Sequence, residues 1–248
     1  MTQLSFLLFM MLHFVNLFAQ PATVPQGLGA NDKFAQNFKT NWSDRVSVTD
    51  VNGRPITNKY PDVNGTPFFD ENYKYAIITL LRGRVISKVK ARIDLVSNEV
   101  HFISANGVEA FLERGTVKEV SYDDTTEAGI IHHTFKTGFP LVDKQTPDNF
   151  YLVLAEGPCG MLKSISKKVT TRKNDISNES IKEFETYEDY YFYVKGAMKR
   201  WKKDKEFVLA EMADKKAEVD QFVSANKINF RNVESVVKLV NYYNSLKD

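Results

Sequence analysis

The sequence predicts an α+β fold in which an antiparallel β-meander, a curved or barrel-like sheet, is followed by two C-terminal helices. Apolar residues alternate with polar ones at a period of two through most of residues 75–123, which is typical of half-buried strands. Two apolar stripes at helical spacing follow residue 205, which favours helices that pack on a partner. The chain also contains 11 Tyr and 18 Phe, residues that are enriched in strands.

The clearest predicted strand is Arg84–Leu95. Its apolar face is formed by Val85, Val89, Ala91, Ile93 and Leu95. Its basic face is formed by Arg84, Lys88, Lys90 and Arg92. The Asn106-Gly107 pair downstream is a hairpin signal, so the following strands return antiparallel.

Later segments extend the sheet and then end it. Further strands are predicted at Val117–Tyr122, Ile130–Lys136, Phe150–Ala155, Cys159–Val169, Tyr187–Val194 and Met198–Lys203. The polar stretch Thr170–Thr186 is interpreted as a loop. One helix is predicted from Glu206 to about Asn226, and Asn232 is a suitable N-cap for the second.

The N-terminal segment Met1–Ala19 predicts export from the cytoplasm. It carries no Lys, Arg, Asp or Glu, and its apolar core ends near a small residue, as in a signal peptide. We expect cleavage between Ala19 and Gln20. His13 and Asn16 interrupt the apolar run, so a retained membrane anchor is the less favoured alternative and the mature chain is expected to lack a transmembrane span.

The predicted organisation is a signal peptide at 1–19, a flexible lead-in at 20–44, a β domain at 45–204 and a helical pair at 205–248. The 33 basic and 31 acidic residues nearly balance, which excludes a general polyanion-binding protein. The single cysteine, Cys159, permits no internal disulfide, and we interpret it as a small buried residue.

Two segments resemble uncharacterised secreted proteins of Bacteroidota. The first is VNGTPFFDENYKYAIITLLRGRVISKVKARIDLVSNEVHFI (63–103), with a Gly-x-Pro-aromatic opening and a basic face. The second is the tail 215–246, which includes FVSANKINFRNVESVVKLVNYYNSL. The resemblance implies a secreted β-rich protein with a helical tail, and it implies no catalytic residue.

Candidate catalytic groups are few. His132 and His133 are neighbours on a predicted strand, so their rings point to opposite faces and a metal site would need His101 or the Asp123-Asp124 pair to converge with one of them. A Cys159–His133 nucleophile pair lacks an oxyanion-hole pattern. The sequence contains no recognised nucleotide, hydrolase or metal motif, so no cofactor is predicted.

Two basic groups are candidates for binding. Lys195–Lys205 is dense in cations and includes Lys199, Arg200, Trp201, Lys202 and Lys203. Read as an edge strand, these lysines discourage sheet pairing. Together with the face of Arg84, Lys88, Lys90 and Arg92, they also suit an anionic envelope lipid or polysaccharide. Export disfavours nucleic acid as the partner.

We therefore expect an exported, non-enzymatic structural or ligand-binding module of the periplasm or cell exterior, whose partner could also be another envelope protein. The alternative is a hydrolase that uses His133 or Asp123/Asp124. A closed pocket that gathers His101, His133 and a carboxylate would favour the enzyme. A filled core with shallow basic outer faces would favour the binding module.

Overall fold

The computed structural model describes residues 46–47, 60–105, 107–173 and 179–246. The predicted signal peptide (1–19) and the lead-in (20–44) lie outside the described residues, as does the predicted cleavage site at Ala19/Gln20.

The described strands form one large, mostly antiparallel sheet. Their order across the sheet is β1-β6-β5-β4-β3-β7-β8-β9-β10-β11-β12, and β2 pairs with β11 in parallel. The strands are β1 Val46–Ser47, β2 Val63–Asn64, β3 Lys74–Leu80, β4 Val85–Asp94, β5 Glu99–Ile103, β6 Glu109–Leu112, β7 Val117–Thr126, β8 Gly129–Lys136, β9 Tyr151–Ala155, β10 Cys159–Lys173, β11 Ser180–Val194 and β12 Ala197–Arg200. The α+β class is confirmed. The barrel-like form is wrong, because the described strands β1 and β12 end the order without pairing to each other.

Strand β4 departs from the predicted alternation at a β-bulge. Ala76 of β3 pairs with Val89, while Ile78 pairs with Ile86, so two residues of β4 lie opposite one residue of β3. Lys88 adopts a φ of 56° there. The extra residue moves each residue of β4 that precedes it to the opposite face of the sheet. Val85, predicted to be buried, is therefore 54% exposed, and Ile86 takes the core position.

Strands β10 and β11 form a long hairpin that includes most of the predicted Thr170–Thr186 loop. The pairing continues out to Lys173 and Ser180, so the loop prediction is wrong for those residues. Cross-strand pairs of opposite charge, such as Lys168 opposite Glu185, make a polar strand pair stable without burial. Polarity alone therefore does not distinguish this ribbon from a loop.

The C-terminal part contains three short helices rather than the two predicted: α1 Lys205–Ala210, α2 Lys216–Asn226 and α3 Val233–Ser245. The predicted first helix is interrupted at Glu211 and Met212, before a 3₁₀ turn at Ala213–Lys215. The interruption fully buries the Met212 side chain. Asn232 caps α3 as predicted, because its side chain accepts a hydrogen bond of 2.8 Å from the Ser235 N–H.

Two main cores lie on different parts of the sheet. The first is formed by the inner faces of β3 to β8 and contains Ile78, Ile93 and Phe135. The second joins β9 to β11 to the helices through Met161, Phe192, Val240 and other residues. Strands β3 and β4, which form a hairpin, therefore pack on the first core alone.

No helix among the described residues is both long and apolar enough to cross a membrane.

Candidate functional site

The hairpin of β3 and β4 is unusually basic. Residues 72–93 contain no Asp or Glu, and they contain six cationic side chains: Lys74, Arg82, Arg84, Lys88, Lys90 and Arg92. A surface with one sign of charge attracts ligands of the opposite sign over about one Debye length, roughly 8 Å at physiological ionic strength.

The same hairpin also exposes large apolar side chains. Ala76, Ile78 and Ile86 fill the first core, so the intervening residues point outwards. The exposed fractions are 68% for Tyr75, 47% for Ile77, 52% for Leu81 and 54% for Val85. Contiguous exposed apolar groups with polar neighbours mark interaction surfaces more often than isolated ones do.

The β-bulge brings cationic and apolar groups together. It places Ser87 and Lys88 opposite Ile77, and Lys88 is exposed. Two residues further on, the Lys90 ammonium lies 5.6 Å from the centroid of the Tyr75 ring. We refer to Tyr75, Ile77, Leu81, Arg82, Val85, Lys88 and Lys90 as the hairpin face.

The cations of this hairpin fall into two groups. Lys74 pairs with Asp70 and Asp124 at 3.0 and 2.7 Å, and Arg92 pairs with Glu109 at 2.9 Å. By contrast, Arg82, Lys88 and Lys90 form no ion pair within the part of the chain that the structure describes. Arg84 is half-buried and makes contacts of its own. Of the predicted basic row Arg84, Lys88, Lys90 and Arg92, only the middle two therefore belong to the hairpin face.

The second predicted basic segment, Lys195–Lys205, is largely committed to internal contacts. Trp201 is 5% exposed and belongs to the second core. Lys199 pairs with Glu211 at 2.8 Å, and Arg200 pairs with Asp189 and, at 3.6 Å, with Asp143. Lys202 and Lys203 remain exposed.

The two basic groups do not lie on neighbouring strands. Six strands, β3, β7, β8, β9, β10 and β11, separate β4 from β12 in the sheet order. The residues 197–200 of β12 therefore do not extend the cationic row of β4 across the sheet.

An open groove borders the hairpin face on the side of β7 and β8. Its lining includes Tyr75, Ile77, Asp123 and His132. His132 Nδ1 lies 2.6 Å from Asp123 Oδ1, and both side chains are more than half exposed. This pair faces water rather than an enclosed pocket, so it lacks the desolvation that strengthens catalytic groups.

His133 lies on the other face of β8, half-buried against aromatic rings. Its ring centroid is 5.3 Å from that of Tyr122 and 5.5 Å from that of Phe69. Burial lowers the pKa of His133, and the nearby carboxylates of Asp124 and Asp70 partly oppose this shift. The ring is therefore neutral at pH 7, packed as part of the sheet interior.

Asp123 and Asp124 do not act as a pair. They lie on opposite faces of β7, as neighbours on a strand must. A hydrogen bond from Lys74 lowers the pKa of Asp124. This carboxylate is therefore ionised and forms an ion pair with the Lys74 ammonium group.

A cluster of His101, His133 and a carboxylate would favour an enzyme, and the structure does not form it. Val100 and Phe102 belong to the first core, so His101 between them points to the opposite face of the sheet. His133 shares the face of Phe135, which is in that core. The two histidines thus lie on different faces of the sheet.

Cys159 is fully buried in the second core. Burial raises the pKa of its thiol to about 12, with Glu211 and Asp214 adding to the shift. A thiol that remains protonated is a poor nucleophile. His133, its proposed partner, packs against Phe69 and Tyr122 beside the first core instead.

Comparison of the chain with protein-family models, with curated proteins and with solved structures finds no match. The function of this chain is therefore inferred from its own residues and their geometry. The sequence predicted a binding surface at Lys88 and Lys90 but not at the other members of the hairpin face, which are Tyr75, Ile77, Leu81, Arg82 and Val85. The signal that could have identified them is the absence of acidic residues from 72 to 93.

Proposed function

We propose that this protein is an exported, non-enzymatic binding module that attaches to anionic lipid surfaces of the cell envelope through its hairpin face. The observation that carries this proposal is that one face of β3–β4 combines exposed apolar side chains with cations that form no ion pair among the described residues. Export is inferred from the charge-free apolar segment Met1–Ala19.

The cationic part supports attraction to lipid headgroups. A Lys or Arg near an anionic membrane contributes about 1 kcal/mol to binding. Loss of Lys88 and Lys90 together is thus expected to weaken partitioning by roughly 30-fold.

The apolar part supports insertion below the headgroups. Burying an Ile or Val side chain that was exposed to water contributes about 1.5–3 kcal/mol. Ile77 and Val85 are about half exposed in the free protein, so contact with acyl chains would remove that exposed area from water. Tyr75 suits the interface, where aromatic rings with a polar tip concentrate.

The hydrolase alternative has less support. His132 and Asp123 are close, but the pair is exposed on an open groove. His133 packs against the Tyr122 ring, and Asp124 accepts a hydrogen bond from Lys74. No described residue pair combines a base with an enclosed nucleophile.

Co-sedimentation with vesicles tests the proposal. The full chain after export is mixed with vesicles of phosphatidylcholine alone or with phosphatidylglycerol added. We expect binding only to the anionic vesicles, weakened by about 30-fold in the variant Lys88→Gln/Lys90→Gln and weakened by added salt.

A matched control uses the other basic segment. Lys202→Gln/Lys203→Gln removes the same charge from exposed lysines outside the hairpin face, and we expect it to bind like wild type. Ile77→Ser should reduce the binding that persists at high salt, whereas Ile181→Ser, at an exposed position of β11, should not. Equal loss in both lysine variants, or retention only on an acidic polysaccharide, contradicts the proposal.

A further inference from the structure

A buried polar cluster lies on the face of β4 and β5 that is opposite the first core. The hairpin register places Asp94 directly opposite Glu99, and Arg92 opposite His101. Because side chains on a strand alternate, Glu99 and His101 share a face. Two carboxylates directly opposite one another repel, and Asp94 is only 1% exposed. The register therefore brings two carboxylates and an imidazole to one face of the strand pair.

The orientation of the His101 ring is set by Glu109. His101 Nδ1 lies 2.9 Å from Glu109 Oε1. Glu109 Oε1 also accepts hydrogen bonds from the Tyr73 hydroxyl at 2.5 Å and from Arg92 Nη2 at 2.9 Å. Because two donors already point at Glu109 Oε1, this oxygen acts as an acceptor, and His101 Nδ1 donates to it. The other ring nitrogen, Nε2, is left with its lone pair when the ring is neutral.

The His101 Nε2 atom is buried and has no hydrogen-bond partner among the described residues. His101 is 8% exposed, so water does not provide the missing contact freely. Nε2 points towards Asp94 Oδ2 at 3.9 Å, which is too long for a hydrogen bond. The Nε2 atom thus faces a buried carboxylate oxygen without bonding to it.

We propose that Asp94, Glu99 and His101 bind a divalent transition-metal ion, with Zn²⁺ the ion whose ligand preferences they match best. One ligand atom from each residue lies within 4.8 Å of the others. Ligands about 2.1 Å from a tetrahedral zinc ion are about 3.4 Å apart, so each pair needs to close by at most about 1.4 Å. An imidazole ligand favours zinc and its neighbours over Ca²⁺ or Mg²⁺.

The surroundings hold these ligands in place. Asp94 Oδ1 accepts the N–H groups of Val96 and Ser97 at 2.8 and 3.0 Å. Asp94 Oδ2, which also accepts from the Tyr60 hydroxyl, faces His101 and is the oxygen that would bind the ion. The His101 ring lies between Phe68 and Phe111, with centroids 5.2 and 5.7 Å away. Glu109 on the far ring nitrogen completes the carboxylate–histidine–metal arrangement that recurs in zinc sites.

The ion would tie β4–β5 to the segment that covers them. Tyr60 donates a hydrogen bond of 3.2 Å to Asp94 Oδ2, and the Phe69 N–H donates to the Ile93 carbonyl at 2.9 Å. Ion binding at Asp94 therefore stabilises residues 60–69 against the sheet. This inference is independent of lipid binding, because none of its ligands belongs to the hairpin face.

Titration of the chelator-treated full chain with zinc chloride tests the site. We expect one high-affinity zinc ion per chain by calorimetry and elemental analysis. His101→Gln should abolish it, and Glu109→Gln should weaken it by about 10- to 100-fold. The matched control His132→Gln removes the exposed histidine–carboxylate pair and should bind zinc like wild type.

A measurement on the wild-type chain keeps the test valid if His101→Gln does not fold. In the spectrum of ¹⁵N-histidine-labelled protein, assigned with His132→Gln and His133→Gln, zinc should shift the Nε2 resonance of His101 and leave the other rings unchanged. An Nε2 that carries a hydrogen and does not respond to zinc, or zinc binding that persists in a folded His101→Gln variant, overturns the proposal.

Discussion

At the residue scale, adjacent histidines have opposite environments. His132 is exposed beside Asp123, whereas His133 packs against Tyr122 and Phe69. Strand geometry alone predicts that their rings point to opposite faces. It does not show which ring is desolvated, because that depends on Phe69, which reaches the sheet from outside the meander.

The lowered pKa of His133 predicts how stability changes with pH. Burial disfavours the charged ring in the folded chain, so the unfolded chain binds the proton more tightly. The contribution of His133 is fully present above the unfolded pKa of about 6.5 and is lost as the pH falls below it. The free energy of unfolding should therefore decrease less steeply between about pH 7.5 and 5 in His133→Gln than in wild type.

Chemical denaturation at several pH values measures this slope. The control is His132→Gln, which removes an exposed ring whose charge contributes only a minor part of the lowered His133 pKa, so it should keep most of the wild-type slope. Asp70, Asp124 and Lys74 face His133 and remain in both variants. Identical slopes in wild type and His133→Gln would show that the ring does not resist protonation.

At the element scale, periodicity predicted where β4 lies but not its bulge. The apolar residues Val85, Ile86 and Val89 permit two alternating patterns, which differ by one residue. The first core selects the one that buries Ile86, because its partner Ile78 is fully buried. The consequence for the candidate site is that Val85 and Lys88 are both on the outside, a combination that strict alternation does not produce.

The Asn244 side chain joins helix α3 to the sheet by hydrogen bonds, in addition to the apolar contacts of the second core. Asn244 accepts a hydrogen bond from the Cys159 N–H at 3.0 Å and donates to the Cys159 carbonyl at 2.8 Å. The turn before β10 approaches so closely that a Cβ at Gly157 would lie 2.6 Å from the Asn244 side chain. Only glycine fits there, since its φ of +147° is also unfavourable for other residues.

This attachment predicts a stability difference between two asparagines of α3. Asn244→Ala leaves buried backbone groups of Cys159 without a partner and should lower the free energy of unfolding by about 1–3 kcal/mol. Asn241→Ala, at an exposed position of the same helix, should be neutral or slightly stabilising, because alanine is the better helix former. Equal effects in urea denaturation would show that the amide does not hold the helix.

At the scale of the whole molecule, the sequence predicted the class and most of the strands but not the extent of the sheet. Whether a meander closes depends on strand tilt and on the pairing of its edges, which are not encoded in alternation. The long β10–β11 ribbon was missed because its stability comes from cross-strand pairs of polar residues. The division of the protein between two cores likewise depends on long-range packing.

The open sheet leaves the hairpin face at the surface, away from the helices that pack on β9 to β11. This separation predicts that one side of the molecule meets the membrane while the helical part stays in water. A spin label can be attached at a chosen site, because the native thiol, Cys159, is fully buried and does not compete for the label.

The most direct test is the depth of a spin label in anionic vesicles. A label on Val85→Cys should be accessible to oxygen and protected from a water-soluble nickel relaxant, which places it below the phosphates. A label on Lys202→Cys should show the opposite accessibility. A Val85→Cys label that remains fully exposed to the nickel relaxant on bound protein would contradict attachment through the hairpin face.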